Sequence, residues 1–72
     1  MFKVMLQKHN DASVICQQVV IVDSLTEAEI LALKLAGKQY KSNNLMLVHR
    51  GELIYDIYET FEPVGQVFIK TM

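Results

Sequence analysis

The segment from Asp23 to Tyr40 constrains the fold most, because it carries both the start signal and the periodicity of one amphipathic helix. Ser24 and Glu27 have the spacing of a capping box, in which the serine hydroxyl accepts a hydrogen bond from the Glu27 backbone N–H. Apolar residues then recur every three or four positions, as one buried helix face requires: Leu25, Ala28, Leu31, Ala32, Leu35 and Ala36. We therefore predict a helix from Ser24 to about Lys41.

The sequence before the helix predicts a β-hairpin. Residues 2–8 alternate between apolar and polar side chains, which is typical of a half-buried strand, and residues 9–13 form a polar turn. Val14 to Val22 is rich in β-branched residues and predicts the returning strand. Gln17 and Gln18 interrupt its apolar pattern, which either a bulge at the glutamines or burial of both faces near the strand end would explain.

Three further strands are predicted after the helix. Leu45 to His49 forms the first, and Arg50-Gly51 is a tight-turn signal. Leu53 to Tyr58 fits either a helix or a strand, and we favour a strand because the residues are β-branched or aromatic and follow a turn. Residues 62–65 match a type I turn, with proline second and glycine fourth, and Gln66 to Thr71 alternates as the last strand.

These elements predict an α+β fold of order ββαβββ, with a single helix packed on one face of an antiparallel sheet. The 72 residues form one domain, 1–72, which has little interior for its surface. Yet 51% of the residues are hydrophobic. We therefore expect part of the apolar surface to be shared with a partner protein or in a homodimer.

Charge and cysteine content narrow the class of protein. The net charge is −1, which provides no long-range field toward nucleic acid or an anionic membrane, and no apolar run is long enough to span a bilayer. The lone Cys16 cannot form an internal disulfide, and two histidines do not make a metal site. We expect a cytoplasmic protein that binds no metal or cofactor.

Catalytic residues are not evident in the sequence. Cys16 would need a base such as His9 or His49 within hydrogen-bond reach, and a third group to orient that base. No spacing provides such a set, and Cys16 lies within a predicted strand, where a small apolar residue is typically buried. We predict that the protein is not an enzyme.

Two groups of residues are candidates for protein binding. Ile30, Leu33 and Tyr40 lie off the main apolar face of the helix, so they either face solvent or are covered by the last two strands. The second group consists of acids that either are simply solvated or face a basic partner: Glu52, Asp56, Glu59 and Glu62.

A basic group offers an alternative function. Lys34, Lys38, Lys41 and Arg50 could contact phosphates, with Tyr40 stacking on a base. Cations near the end of a helix also complement its dipole and keep the surface soluble, so the same residues are consistent with a purely structural role. Weak nucleic-acid binding therefore stays an alternative to protein binding.

The run from Ser24-Leu25-Thr26-Glu27-Ala28 to Ala36-Gly37-Lys38-Gln39-Tyr40 resembles a pattern found in small phage-encoded proteins. It is similar to phage inhibitors of bacterial RNA polymerase and to small anti-CRISPR proteins with a ββαβ core. The resemblance covers residues 19–48, and the helix is about one turn longer than in the polymerase inhibitors. No target-contacting residue of those inhibitors has a match in this chain.

The resemblance implies a small protein that acts by binding another macromolecule. We therefore expect a non-enzymatic protein-binding module, encoded by a phage or prophage, that inhibits or modulates a host macromolecule by covering its surface. A self-assembling structural homo-oligomer is the main alternative.

Overall fold

The computed structural model describes residues 1–9 and 13–72. One helix and five strands follow in the order ββαβββ, which confirms the predicted α+β fold. The elements are β1 (Phe2–Lys8), β2 (Val14–Val20), α1 (Leu25–Tyr40), β3 (Leu45–Gly51), β4 (Ile54–Glu59) and β5 (Glu62–Thr71). Part of the predicted turn at residues 9–13 lies outside the described residues, although the Lys8 N–H donates to the Ser13 carbonyl across it (3.2 Å).

The five strands form one antiparallel sheet in the order β2-β1-β5-β4-β3. The first and last strands of the chain are therefore neighbours inside the sheet, and β2 and β3 form its two edges. The helix connects one edge strand to the other and covers one face of the sheet. No helix of the described residues lies on the opposite face, which we call the open face.

The core lies between α1 and the central strands. Val4, Leu6, Val67 and Ile57 are the largest fully buried side chains, and all four point toward the helix. The helix contributes alanines at positions 28, 32 and 36, which are also fully buried. Because these side chains are small and four residues apart, the helix backbone can approach the sheet closely.

The ends of α1 follow the predicted signals. Ser24 Oγ accepts a hydrogen bond from the Glu27 N–H at 3.2 Å, as expected for the N-cap. Lys41 adopts the left-handed conformation (φ 53°) just after the last helical residue, which is a common way for a helix to end. The helix therefore continues past Gly37 to Tyr40, within one residue of the predicted end.

The end of the second strand was predicted wrongly, and neither explanation offered for its glutamines holds. Val19 and Ile21 are exposed, so the two faces are not both buried near the strand end. β2 ends at Val20 rather than Val22. Gln17 and Gln18 pair in regular register with β1, and the irregularity lies between Cys16 and Val14 instead, where Ile15 is the extra residue. The glutamines are exposed because β2 is an edge strand, not because the strand is deformed there.

Both turns after the helix lie elsewhere than predicted. β3 continues through Gly51, so the β3–β4 turn falls at Glu52 and Leu53 rather than at Arg50-Gly51. The β4–β5 turn consists of Thr60 and Phe61, and the predicted type I turn at residues 62–65 is instead the start of β5. Residues 54–59 form a strand, which settles the helix-or-strand alternative.

Candidate protein-binding surfaces

The open face has an apolar centre built from three strands. Met5 of β1 pairs with Phe68 of β5, which in turn pairs with Ile54 of β4, so the three side chains form one row across the sheet. Each is half-buried by its neighbours. A depression of about 650 Å³ lies over this row.

Charged residues border the row on one side. Lys3 and Lys70 are directly opposite each other on β1 and β5 and share the open face with the row. Like charges in directly opposed positions repel each other. Among the described residues, neither lysine has a carboxylate within ion-pair distance. Glu52 reaches the rim of the same depression from the β3–β4 turn. An acidic group from another molecule would relieve the repulsion between the two lysines.

A second apolar surface runs along the groove between α1 and β3. Ile30 (51% exposed) and Leu33 (37% exposed) form its helical side, and Leu45 and Leu47 form the strand side. The groove has a volume of about 410 Å³ and reaches the free edge of the sheet at Met46. The last two strands lie inside the sheet and do not cover Ile30 and Leu33, so this apolar flank of the helix faces solvent.

Three polar side chains meet at one end of the α1–β3 groove. The Tyr55 hydroxyl donates a hydrogen bond to the Glu29 carboxylate, and the His49 ring stacks on the Tyr55 ring with centroids 4.5 Å apart. Burial raises the pKa of Tyr55, and the hydrogen bond to Glu29 and its negative charge raise it further. The arrangement fixes the tyrosine in its neutral form and anchors β4 to the helix.

The raised pKa of Tyr55 predicts a loss of stability at alkaline pH. The unfolded chain releases this proton as pH passes about 10, while the folded chain holds it, so the contribution is complete below about pH 10 and lost above it. In Tyr55→Phe, the free energy of unfolding should therefore fall less steeply with pH, by up to about 1.4 kcal/mol per pH unit. Urea unfolding between about pH 9 and about pH 11 measures the difference.

Tyr58→Phe is the matched control, because Tyr58 lies in the same strand but on the open face. It leaves the Tyr55–Glu29 pair intact and should keep the wild-type pH dependence. If the free energy of unfolding fell equally with pH in wild type and Tyr55→Phe, Tyr55 would not be the source of the alkaline loss of stability.

The structure separates the three apolar helix residues that were predicted to bind protein, Ile30, Leu33 and Tyr40. Ile30 and Leu33 lie together in the α1–β3 groove, as described above. Tyr40 is apart from them: it packs against the core, and its hydroxyl donates to the Val64 carbonyl at 3.2 Å. It therefore links the end of the helix to β5, and it is not part of the exposed flank.

The four predicted acids do not form one patch. Glu52 lies in the β3–β4 turn, whereas Glu59 and Glu62 pair with each other at the far end of β4. The length of β4, 6 residues or ~20 Å, separates these two positions. Asp56 lies between them on the open face and pairs with Arg50 at 3.3 Å. A single acidic surface facing a basic partner is thus not formed.

The predicted basic cluster is also divided. Lys34 and Lys38 are exposed on α1, and Lys41 is the helix C-cap. Arg50 lies at the end of β3 and its guanidinium contacts Asp56 on the open face, away from the helix. Three lysines at one helix end remain, without an aromatic platform beside them, because Tyr40 is packed against the core.

The candidate nucleophile lies far from one of its two candidate bases. Cys16 is in β2 and His49 is in β3, at opposite edges of a five-stranded sheet and therefore ~19 Å apart. Cys16 is half-buried, and burial raises the pKa of its thiol, which lowers its reactivity at neutral pH. Within residues 1–9 and 13–72, no group of three or more potential metal ligands occurs.

Comparisons with protein-family models, with curated proteins and with solved structures found no match to this chain. In the part of the chain that the structure describes, no helix is both long and apolar enough to cross a bilayer. Any conclusion on function therefore depends on the surfaces themselves.

The sequence pattern did not single out the apolar row of the open face or the two lysines beside it: Lys3, Met5, Ile54, Phe68 and Lys70. Each stands in an ordinary alternating strand, and nothing local distinguishes it. Their importance depends on β1 lying beside β5, which brings together residues more than sixty positions apart. A prediction of the strand order would have been needed to find them.

Proposed function

We propose that this chain is a non-enzymatic protein-binding module that acts by covering a surface of another protein with its open face. The observation that supports this most directly is the half-buried row of Met5, Phe68 and Ile54 on the open face, beside Lys3 and Lys70, which have no ion-pair partner within the described residues. Antiparallel sheets usually present polar side chains to water on their uncovered face. An apolar row in that position indicates a contact surface.

The side chains of the open face indicate which groups the partner should present. The row would receive apolar side chains, and the two lysines would receive a carboxylate, so the partner should present an apolar patch with an acidic residue at its border. In line with the resemblance to phage proteins, we propose a host protein of the bacterial cytoplasm as this partner. Inhibition would follow from occupying the surface, without any chemical step.

Affinity capture from bacterial lysate, followed by mass spectrometry, tests the proposal. We expect the wild-type chain to recover one partner in stoichiometric amount and Phe68→Thr to lose it. Phe61→Thr is the matched control, because Phe61 is 90% exposed in the β4–β5 turn, at the opposite end of β4 from Ile54 and its row. It should recover the partner as the wild type does.

The contribution of charge is tested separately with Lys3→Glu/Lys70→Glu, which replaces both lysines by acids. We expect this variant to lose the partner while its circular dichroism spectrum stays unchanged. The proposal fails if no stoichiometric partner is recovered, or if the folded Phe68→Thr variant captures the partner as well as Phe61→Thr does.

A further inference from the structure

The free edge of β3 is apolar over most of its length, and its charged residue, Arg50, and its register shift both lie near its end. Residues 45–48 are Leu-Met-Leu-Val, without a charge, a proline or a bulge. Met46 is 54% and Val48 39% exposed. Long apolar edge strands tend to pair with another strand, because they present unpaired backbone groups as well as apolar side chains.

The backbone of β3 is oriented for such pairing. The Thr60 N–H donates to the Asn44 carbonyl (3.4 Å) at the start of the β3–β4 ladder. Because hydrogen-bonded and non-hydrogen-bonded positions alternate along an antiparallel pair, Leu45, Leu47 and His49 direct their N–H and C=O groups away from β4. These groups lie along the outer edge of the sheet, where a further strand would bind.

The opposite edge of the sheet differs in its side chains. Both edge strands have a bulge near one end, at Arg50 in β3 and at Ile15 in β2. The middle of β2, however, carries the exposed polar residues Gln17 and Gln18, where the middle of β3 is apolar. Polar side chains along an edge discourage its pairing with another strand. The two edges are therefore not equivalent, and β3 is the one suited to binding a strand.

We infer that β3 pairs with β3 of a second copy of this chain, in antiparallel orientation about a two-fold axis at Leu47. Opposed residues in an antiparallel pair share a face. Leu47 then meets Leu47 of the second copy on the helix side, and Met46 meets Val48 of the second copy on the open face. The exposed apolar residues of the strand thus find apolar partners in each other, as an isologous interface requires.

The charges along β3 and the available surface area are both compatible with binding of a second copy. Arg50, the charged residue of β3, would meet the neutral Asn44 of the second copy, so no like charges oppose each other along the pair. The groove residues Ile30 and Leu33 border the same edge and would add helix contacts. A stable interface needs ~800 Å² from each partner, about one-sixth of the 4775 Å² surface of this chain. A ~23 Å strand and the adjacent helix flank can provide an area of that order.

Light scattering after size exclusion tests this arrangement. The wild-type chain should have about twice the 8.2 kDa mass of one copy. Met46→Lys/Val48→Lys places like charges opposite each other at both positions and should give the mass of one copy. Met46→Glu/Val48→Lys has opposite charges at the same two positions and should keep the dimer, which then dissociates on addition of salt.

Val14→Lys is the control for the other edge, because Val14 is 49% exposed in β2. It should keep the dimer mass. A wild-type chain with the mass of one copy, or a folded Met46→Lys/Val48→Lys variant that remains dimeric, would overturn the inference. Loss of the dimer in Met46→Glu/Val48→Lys would overturn the register about Leu47.

The dimer and the proposed host-protein contact use different surfaces, so the two can fail independently. The monomeric Met46→Lys/Val48→Lys variant keeps the Met5–Phe68–Ile54 row. Its capture of a partner tests the open face without the dimer.

Discussion

Replacing Gly65 by alanine is expected to destabilise the fold strongly. Gly65 is buried in β5 between β1 and β4, and a methyl group built on it would lie 2.7 Å from the Gln7 carbonyl oxygen and against the Tyr40 hydroxyl. The carbonyl belongs to the β1 backbone, so the clash cannot be relieved by a rotamer change alone. Overpacking of this kind costs typically ~1–3 kcal/mol. We expect a value at or above the upper end, measured by urea unfolding.

Gly51→Ala is the matched control for this substitution. Gly51 is also a strand glycine without a positive φ, but among the described residues beyond its chain neighbours, no atom lies within 4 Å of the position a methyl group would occupy. Its free energy of unfolding should stay within ~0.5 kcal/mol of the wild type. Similar unfolding midpoints for Gly65→Ala and Gly51→Ala would show that the close approach of β5, β1 and Tyr40 is not needed for stability.

Ile57→Ala should produce a loss of similar or greater size by the opposite mechanism. Ile57 is fully buried in β4 and is one of the four largest enclosed side chains of the core. Removing three carbons leaves a cavity between the sheet and the alanine face of α1, which can close only by moving the helix. Such truncations cost ~2–5 kcal/mol. A domain of this size has a total stability of only ~4–11 kcal/mol.

Ile30→Ala is the matched control for Ile57→Ala. Ile30 is 51% exposed on α1, and alanine is the better helix former, so in the monomeric Met46→Lys/Val48→Lys background, where no dimer contact covers this flank, the free energy of unfolding should change little or rise. If Ile30→Ala were as destabilising as Ile57→Ala, the helix flank would have to be buried in solution. For a dimeric chain, both variants should be compared at the same protein concentration, because dimer formation adds to the apparent stability.

The helix could be predicted because its signals are local. The Ser24 cap, the spacing of the apolar residues and the polar residues beyond Lys41 all lie within about twenty positions of one another. The structure differs from the prediction at its end by a single residue. The alternation of β1 and β5 is equally local, and both strands were found.

The turns could not be predicted in the same way. Pro63 and Gly65 match a type I turn, yet both lie in β5. Pro63 is accommodated because the β4–β5 register shifts between Ile57 and Tyr58, and proline is tolerated in a sheet at such bulges. The chain turns instead at Thr60, which adopts a left-handed conformation that is unusual for a β-branched residue (φ 58°). Pairing across the whole hairpin outweighs the local preference.

Surface residues were predicted with mixed success for a related reason. Ile30 and Leu33 were found because helix periodicity alone places them off the buried face. The acidic and basic groups were formed by closeness in sequence, and the sheet separates their members: Asp56 pairs with Arg50, while Glu59 and Glu62 lie at the far end of β4. The open face depends on strand order, which no local pattern encodes.

The position of β1 beside β5 also determines when the sheet can be completed during synthesis. Phe2 pairs with Thr71, and the Met72 N–H donates to the Met1 carbonyl at 3.0 Å. The second side of β1 can therefore be paired only after β5 has been synthesised. Until β5 has left the ribosome, the nascent chain has only α1 and two separate hairpins, β1–β2 and β3–β4, with nothing to join them into one sheet. The β1–β5 pairing should therefore form late, and folding should be slower than for helical domains of equal length, since its contacts join distant parts of the chain.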